Sequence, residues 1–182
     1  MSTKDIVHIA LFAALTAALG LFPPLTLPVI GVPITAQSLG VMLAGSIIGS
    51  KRGALALALF LLLVAIGLPL LAGGRGGFGV FLGPGGGFLL AWPLGAYVIG
   101  LLFERTWNRL NLGLAILYNV LGGVVLIYAV GIPWISFVAK VSLLQAATGA
   151  AAFLPGDAVK VVLAALLAVT VKRSYPVIVA RA

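Results

Sequence analysis

The chain of 182 residues has no cysteine, one histidine and three acidic side chains, and each scarcity closes off a kind of chemistry. Without cysteine there are no disulfides and no thiolate chemistry. A lone His8 cannot build a metal centre, which needs several ligands, so it reads as an interfacial residue. With Asp5, Glu104 and Asp157 as its only acids, the chain has few parts for a nucleophile-and-base site, and an enzyme is not expected. No Walker A stretch occurs, so the chain does not hydrolyse ATP by that route. Gly74-Arg-Gly-Gly-Phe-Gly79 fits G-x-G-x-x-G in form only, because an apolar helix precedes it and no βαβ unit surrounds it.

Charge of either sign is also sparse. Hydrophobic residues make up 63% and charged residues 8%, with a mean hydropathy of +1.28. Soluble domains are nearer half apolar and a quarter charged, so the composition is that of an integral membrane protein. The formal net charge of +8 invites a nucleic-acid reading, but the basic residues form no cluster and fit membrane topology better.

The expected fold is all-α, a single membrane domain over 1–182 with six transmembrane helices in one bundle. The spans are expected at about 6–22, 34–49, 54–71, 88–103, 112–130 and 157–171. Lys4 before the first run gives it the look of a signal peptide, but Pro23-Pro24 follows where a small-residue cleavage site would stand, and a retained span is expected. Ala10, Ala14 and Ala18 recur every four residues in it, a stripe that another helix can approach closely, inside the bundle or outside it. Pro23–Pro33 is an uncharged loop. Pro93 sits inside the fourth span and Asn119 inside the fifth.

The segment 132–153 is apolar enough to span, yet it holds Lys140 and Gln145. With six spans, Lys4, Lys51, Arg52, Arg105, Arg109, Lys172, Arg173 and Arg181 fall on one side, and only Arg75 and Lys140 fall opposite, with Lys160 near that same end. That is a positive-inside pattern, with N- and C-termini cytoplasmic. A seventh span would place the basic C-terminus outside, so 132–153 is expected as a re-entrant or surface helix on the outer side.

Two stretches on that outer side carry polar or permissive chemistry. The loop 72–87 has nine glycines in sixteen residues, which permits close backbone approach to a ligand around Gly74, Arg75 and Gly77. Its Phe78, Val80, Phe81 and Leu82 favour folding back over a surface. Phe153-Leu-Pro-Gly-Asp-Ala-Val-Lys160 places Asp157 and Lys160 three residues apart, on one face of a helix start. A charge at the centre of a membrane helix costs about 2.5–3.5 kcal/mol, less near an end, so the pair, a polar ligand or both should offset it. From these residues alone, Lys160 as a snorkelling side chain and Asp157 as a first-turn cap stay open beside the functional reading. Gln37, about a turn inside the second span, is a further polar group that needs a partner in low dielectric.

Four stretches carry a family resemblance: Pro33-Ile-Thr-Ala-Gln37; Gly73-Gly-Arg-Gly-Gly77 with Gly83-Pro-Gly-Gly-Gly87; Gly131-Ile-Pro-Trp134; and Phe153–Lys160. In these the sequence resembles the biotin-specific substrate-capture component, or S component, of bacterial energy-coupling-factor transporters. The resemblance implies a six-helix protein of the bacterial cytoplasmic membrane that binds biotin near the outer face and uses no cofactor. It also implies a transmembrane coupling subunit and two ATPase subunits as partners. Asp157 and Lys160 would be polar ligand contacts, with Gln37, Arg75, Gly74, Gly77, Phe88 and Trp92 around them. Ala10, Ala14 and Ala18 would form the docking stripe. Gly85 and Phe88 depart from the family pattern, which has hydroxyl residues there. Biotin offers ureido N–H donors, a ureido acceptor and a carboxylate, which suit an Asp–Lys pair, and an apolar body that suits Phe78, Phe81, Phe88 and Trp92. A transporter of another small vitamin, a membrane-embedded enzyme and a structural subunit are the rival readings.

Overall fold

The computed structural model describes residues 1–26 and 32–178; Arg181 and the middle of the Pro23–Pro33 loop lie outside them. Helix α1 (Thr3–Ala18) opens with a capping box: the Ser2 hydroxyl accepts from Asp5 N–H at 3.3 Å, and the Asp5 carboxylate accepts from Ser2 N–H at 2.8 Å. A two-rung ribbon follows, β1 (Leu25–Thr26) antiparallel to β2 (Pro33–Ile34). Next come α2 (Ser38–Leu43), which runs into a π turn at Ala44–Ile48, and α3 (Ser50–Ala65). The glycine-rich segment holds a single helical turn, α4 (Gly79–Leu82), before α5 (Gly86–Arg105). Helix α6 (Leu112–Val120) continues through a second π turn (Leu121–Val125) into α7 (Leu126–Ala139). Finally α8 (Leu143–Ala150) leads by a 3₁₀ turn into α9 (Leu154–Ser174).

Four of these helical runs are long and apolar enough to cross a membrane: Thr3–Leu21, Gly86–Arg105, Leu112–Ala139 and Leu143–Ser174. Helix α5 is the central one, packed against α3, α7 and both π turns. Its backbone meets that of the second π turn directly, since a Cβ on Gly95 would stand 2.7 Å from the Gly122 carbonyl oxygen. Close backbone approach through small residues is how helices associate where lipid removes a hydrophobic drive. Fully buried Phe60, Phe103, Met42, Ile48, Leu57 and Ile99 fill the space around it.

Four expected boundaries move. The second helix begins at Ser38, not at 34, because Pro33–Ile34 pairs with Leu25–Thr26 in the ribbon, so Gln37 flanks the helix start and does not lie a turn inside it. The third helix covers Ser50–Ala65, not 54–71, because Gly67 takes φ +107° and Pro69 follows, which together stop it. The fifth does not end at Val130: α6 and α7 form one run to Ala139, and 132–153 is not a single surface helix. Gly131-Ile-Pro-Trp134 looks like a breaker in sequence, yet Gly131 lies against the Phe88 ring, where a Cβ would come within 2.5 Å, and Trp134 Nε1 donates to Gly83 O at 3.0 Å. Those contacts hold the run together around Pro133. The break comes at Lys140, in left-handed backbone (φ 55°, ψ 39°), and Ser142 with Gln145 caps α8 immediately after. The last helix begins at Leu154, not Asp157, because Pro155 in a first turn has no N–H that an intrahelical bond would need.

Two basic residues, Arg52 and Lys172, clasp chain segments at the end away from the glycine-rich segment. Arg52 pairs with Asp5 at 3.4 Å and donates to Val177 O at 3.0 Å, so one side chain ties the start of α1 to the tail beyond α9. The Lys172 ammonium donates to the carbonyls of Trp107 and Leu110 at 2.6 and 3.3 Å, lies over the Trp107 ring and fixes the α5–α6 turn against α9. Both ends of the described chain therefore lie at this same end.

Candidate ligand-binding site

At the opposite end the helices enclose a cavity of about 190 Å³, walled by the starts of α2, α5, α7 and α9 and by the glycine-rich loop. Its polar focus is Asp157, only 6% exposed, and Lys160. The Lys160 ammonium donates to Asp157 Oδ1 at 3.0 Å and to the Ser38 hydroxyl at 2.9 Å. Tyr128 donates to Asp157 Oδ2 at 2.7 Å, and Ser38 makes a long contact of 3.5 Å to Oδ1. The sequence builds this from three helices: Asp157 and Lys160 share a face of α9, Ser38 opens α2, and Tyr128 comes from α7 just past its π turn. A buried pair fixed by additional hydroxyl bonds is the arrangement that low dielectric requires.

Apolar walls complete the space. Phe88, Tyr128 and Phe153 meet edge to face in a triad, with ring centres 5.9, 5.9 and 6.4 Å apart. Trp92 is held in place by stacking on Phe60 at 6.0 Å. Arg75 reaches the wall from the loop; its Nε donates to Ala72 O at 3.1 Å, and loss of hydration pulls its guanidinium below the ordinary arginine range while leaving it charged.

Of the expected site residues, Asp157, Lys160, Gln37, Arg75, Phe88 and Trp92 line the cavity. Gly74 and Gly77 do not; they take φ +69° and +86° and serve to turn the loop, a conformation that side chains resist. Phe78 points away and is exposed, while Phe81 is buried beside it without reaching the cavity. Gln37 lines the wall, but its amide is committed to the protein: Nε2 donates to Thr16 O and Leu70 O, both at 3.0 Å, and Oε1 accepts from Ala72 N–H at 2.9 Å. Ala10, Ala14 and Ala18 lie far from the site in role: all three are exposed, while Ile9, Phe12, Ala13 and Thr16 form the inward face of α1.

Ser38 and Tyr128 are the partners that sequence reasoning passes over. A serine at a helix start looks like a cap, and one tyrosine in an apolar run looks like an interfacial anchor. The usable signal is that a tyrosine hydroxyl inside an apolar helix needs a partner, and Asp157 is the single acid outside the end that holds Asp5 and Glu104.

A membrane bundle with a buried ion pair at the floor of an aromatic cavity, roofed by a glycine-rich loop, is the architecture of a solute-binding membrane protein. The comparisons make this specific. The BioY family model matches residues 1–177, and the chain belongs to that family. It is 51% identical to the biotin transporter BioY of Rhizobium etli over the whole of both chains. It is 49% identical to the biotin transporter BioY of Rhodobacter capsulatus, over 95% of each. Among solved structures, the S-component for biotin from an ECF-type ABC transporter superposes with a TM-score of 0.90 at 32% identity, covering 95% of each chain. The family and these relatives are transporter components, not enzymes.

Proposed function

We propose that this chain is the biotin-binding component of an energy-coupling-factor transporter and that biotin occupies the cavity over Asp157 and Lys160. The observation that carries the reading is the half-buried Lys160–Ser38–Tyr128 network around the buried Asp157 in an otherwise apolar, aromatic-lined cavity. Lys160 uses two of its three N–H donors on Asp157 and Ser38, which leaves one; Asp157 keeps acceptor capacity at Oδ2 beside the Tyr128 bond. A donor next to an acceptor matches a urea edge, whose C=O accepts and whose N–H donates. A carboxylate would suit Lys160 but face repulsion from Asp157. The ureido ring therefore belongs at the pair, with the apolar body against Phe88, Phe153 and Trp92, and the valerate carboxylate toward Arg75. Identification by mass spectrometry of the small molecule that copurifies from membranes tests this: biotin is expected, and a different vitamin would overturn it.

The reading includes six membrane crossings, made by α1, α2 with its π turn, α3, α5, α6 with α7, and α9. The termini are cytoplasmic and the cavity opens to the outside of a bacterial cytoplasmic membrane. An even number of crossings agrees with both chain ends meeting at Arg52, and the basic residues there favour the cytoplasmic side. The outward-facing Ala10, Ala14 and Ala18 supply the docking stripe for a coupling subunit driven by two ATPase subunits.

Two expected outcomes follow from this geometry. Biotin should order the loop over the cavity, because fixing so many glycines costs entropy that ligand contacts at Arg75 must outweigh. Protease cleavage at Arg75 is therefore slower with biotin present; equal rates would mean a loop indifferent to the ligand. Tyr128→Phe keeps the aromatic triad but removes the hydroxyl that orients Asp157. A loss of about 1 kcal/mol, or roughly 5- to 10-fold in Kd, is expected by calorimetry. An unchanged Kd would mean that Lys160 alone sets the carboxylate.

A further inference from the structure

We infer that Gln37 is a positioning residue that latches the glycine-rich loop over the cavity and ties it to α1, rather than a ligand contact; the inference rests on the biotin reading only for its ligand-bound arm. Gln37 is 1% exposed. Its side-chain amide joins α2 to two pieces of chain that sequence places far from it and from each other. Nε2 donates to Thr16 O at the end of α1 and to Leu70 O at the root of the loop, and Oε1 accepts from Ala72 N–H inside the loop. All of its N–H donors are thereby used, and its geometry leaves the loop root no freedom without breaking at least one bond. A backbone bridge continues the clamp beyond Gln37: Leu71 and Arg75 exchange N–H···O bonds at 2.9 and 3.2 Å, which holds Arg75 at the cavity wall.

The next residue faces the other way. Ser38 accepts from Lys160 and touches Asp157, so consecutive residues at the start of α2 hold the loop on one side and the ion pair on the other. Any displacement of the loop root that tilts this turn also shifts the hydroxyl that supports Lys160. Gly20 shows how tight the junction is: a Cβ there would stand 2.6 Å from Leu70 O and 2.9 Å from Gln37 Nε2. Gly20 does not line the cavity, so a methyl group at that position strikes the latch without removing any side chain from the cavity wall.

Two variants of the full-length purified protein test this, Gln37→Met, which removes the bonds at similar length, and Gly20→Ala, which wedges them apart. Amide hydrogen exchange over residues 69–77 without biotin reads the latch itself. At least a 5-fold faster exchange is expected in both variants. Biotin dissociation and cleavage at Arg75 in biotin-saturated protein read its consequence, and both are expected to rise at least 5-fold. If Gln37→Met weakens biotin binding while Gly20→Ala leaves exchange, dissociation and cleavage at wild-type values, Gln37 is a ligand contact and the latch is refuted. Wild-type exchange in both variants refutes it as well. Should one variant fail to fold, the other still decides. If the wild-type protein binds no biotin, the biotin reading fails while the exchange arm still judges the latch.

Discussion

Asp157→Ala is expected to lower biotin affinity by at least about 100-fold while the protein remains monodisperse. The carboxylate is the hub of the polar network, receiving Tyr128 and Lys160 at 2.7 and 3.0 Å, and in the proposed complex its remaining acceptor takes a ligand N–H. Hydrogen bonds to charged groups contribute about 1.5–3 kcal/mol each, and removing one member of a buried pair costs about 3–5 kcal/mol by leaving the other unpaired. Here the abandoned group is Lys160, kept only by Ser38. It is free to swing toward the cavity, so the ligand loses an acceptor and meets a misplaced ammonium. At 1.4 kcal/mol per decade, the loss of one charged contact with its pre-organisation reaches two decades or more. Calorimetry on monodisperse protein measures it, and an affinity equal to wild type would remove Asp157 from the site.

Ala14→Trp should have the opposite profile: biotin binding retained, with ATP-dependent uptake and co-purification of the coupling subunit lost. The alanines are exposed on a helix whose other face, Ile9, Phe12, Ala13 and Thr16, packs inward, so an indole at position 14 projects away from the bundle. In lipid, a smooth stripe of small residues gains by close backbone approach, and one bulky side chain prevents it. The cavity takes no residue from α1, its polar groups coming from α2, α7 and α9. Normal assembly and uptake in this variant would mean that the partner docks elsewhere.

Much of this was legible in sequence because membranes simplify the problem. The apolar runs marked an all-helical chain with several membrane-capable helices, and Arg52 and Lys172, two of the basic residues read as lying on one side, are found clasping chain segments at one end. The Asp157–Lys160 spacing on α9 was equally readable, since two charges three residues apart in an apolar helix share a face. What local patterns could not carry was the tertiary part. Gly131-Ile-Pro-Trp134 has the composition of a break, and only the packing of Gly131 on Phe88 and the Trp134–Gly83 bond keep that helix running. Gln37 showed a need for partners but not where they were, and they proved to be backbone groups in α1 and the loop. Tyr128 and Ser38 are ordinary residues whose role exists only because α7 and α2 bring them to Asp157. Gly74 and Gly77 drew attention through composition, yet their left-handed backbone shows them shaping the loop.

Titration of the purified wild-type protein with biotin, beside other small vitamins of similar size, goes most directly to the identity of the ligand. One biotin per chain is expected, bound at least 100-fold more tightly than vitamins without a ureido ring, because in the proposed site a urea edge meets the donor of Lys160 and the acceptor of Asp157 together while the rest of biotin fills the apolar walls. A chain that ignores biotin, or that prefers a vitamin without that edge, would contradict the site described here.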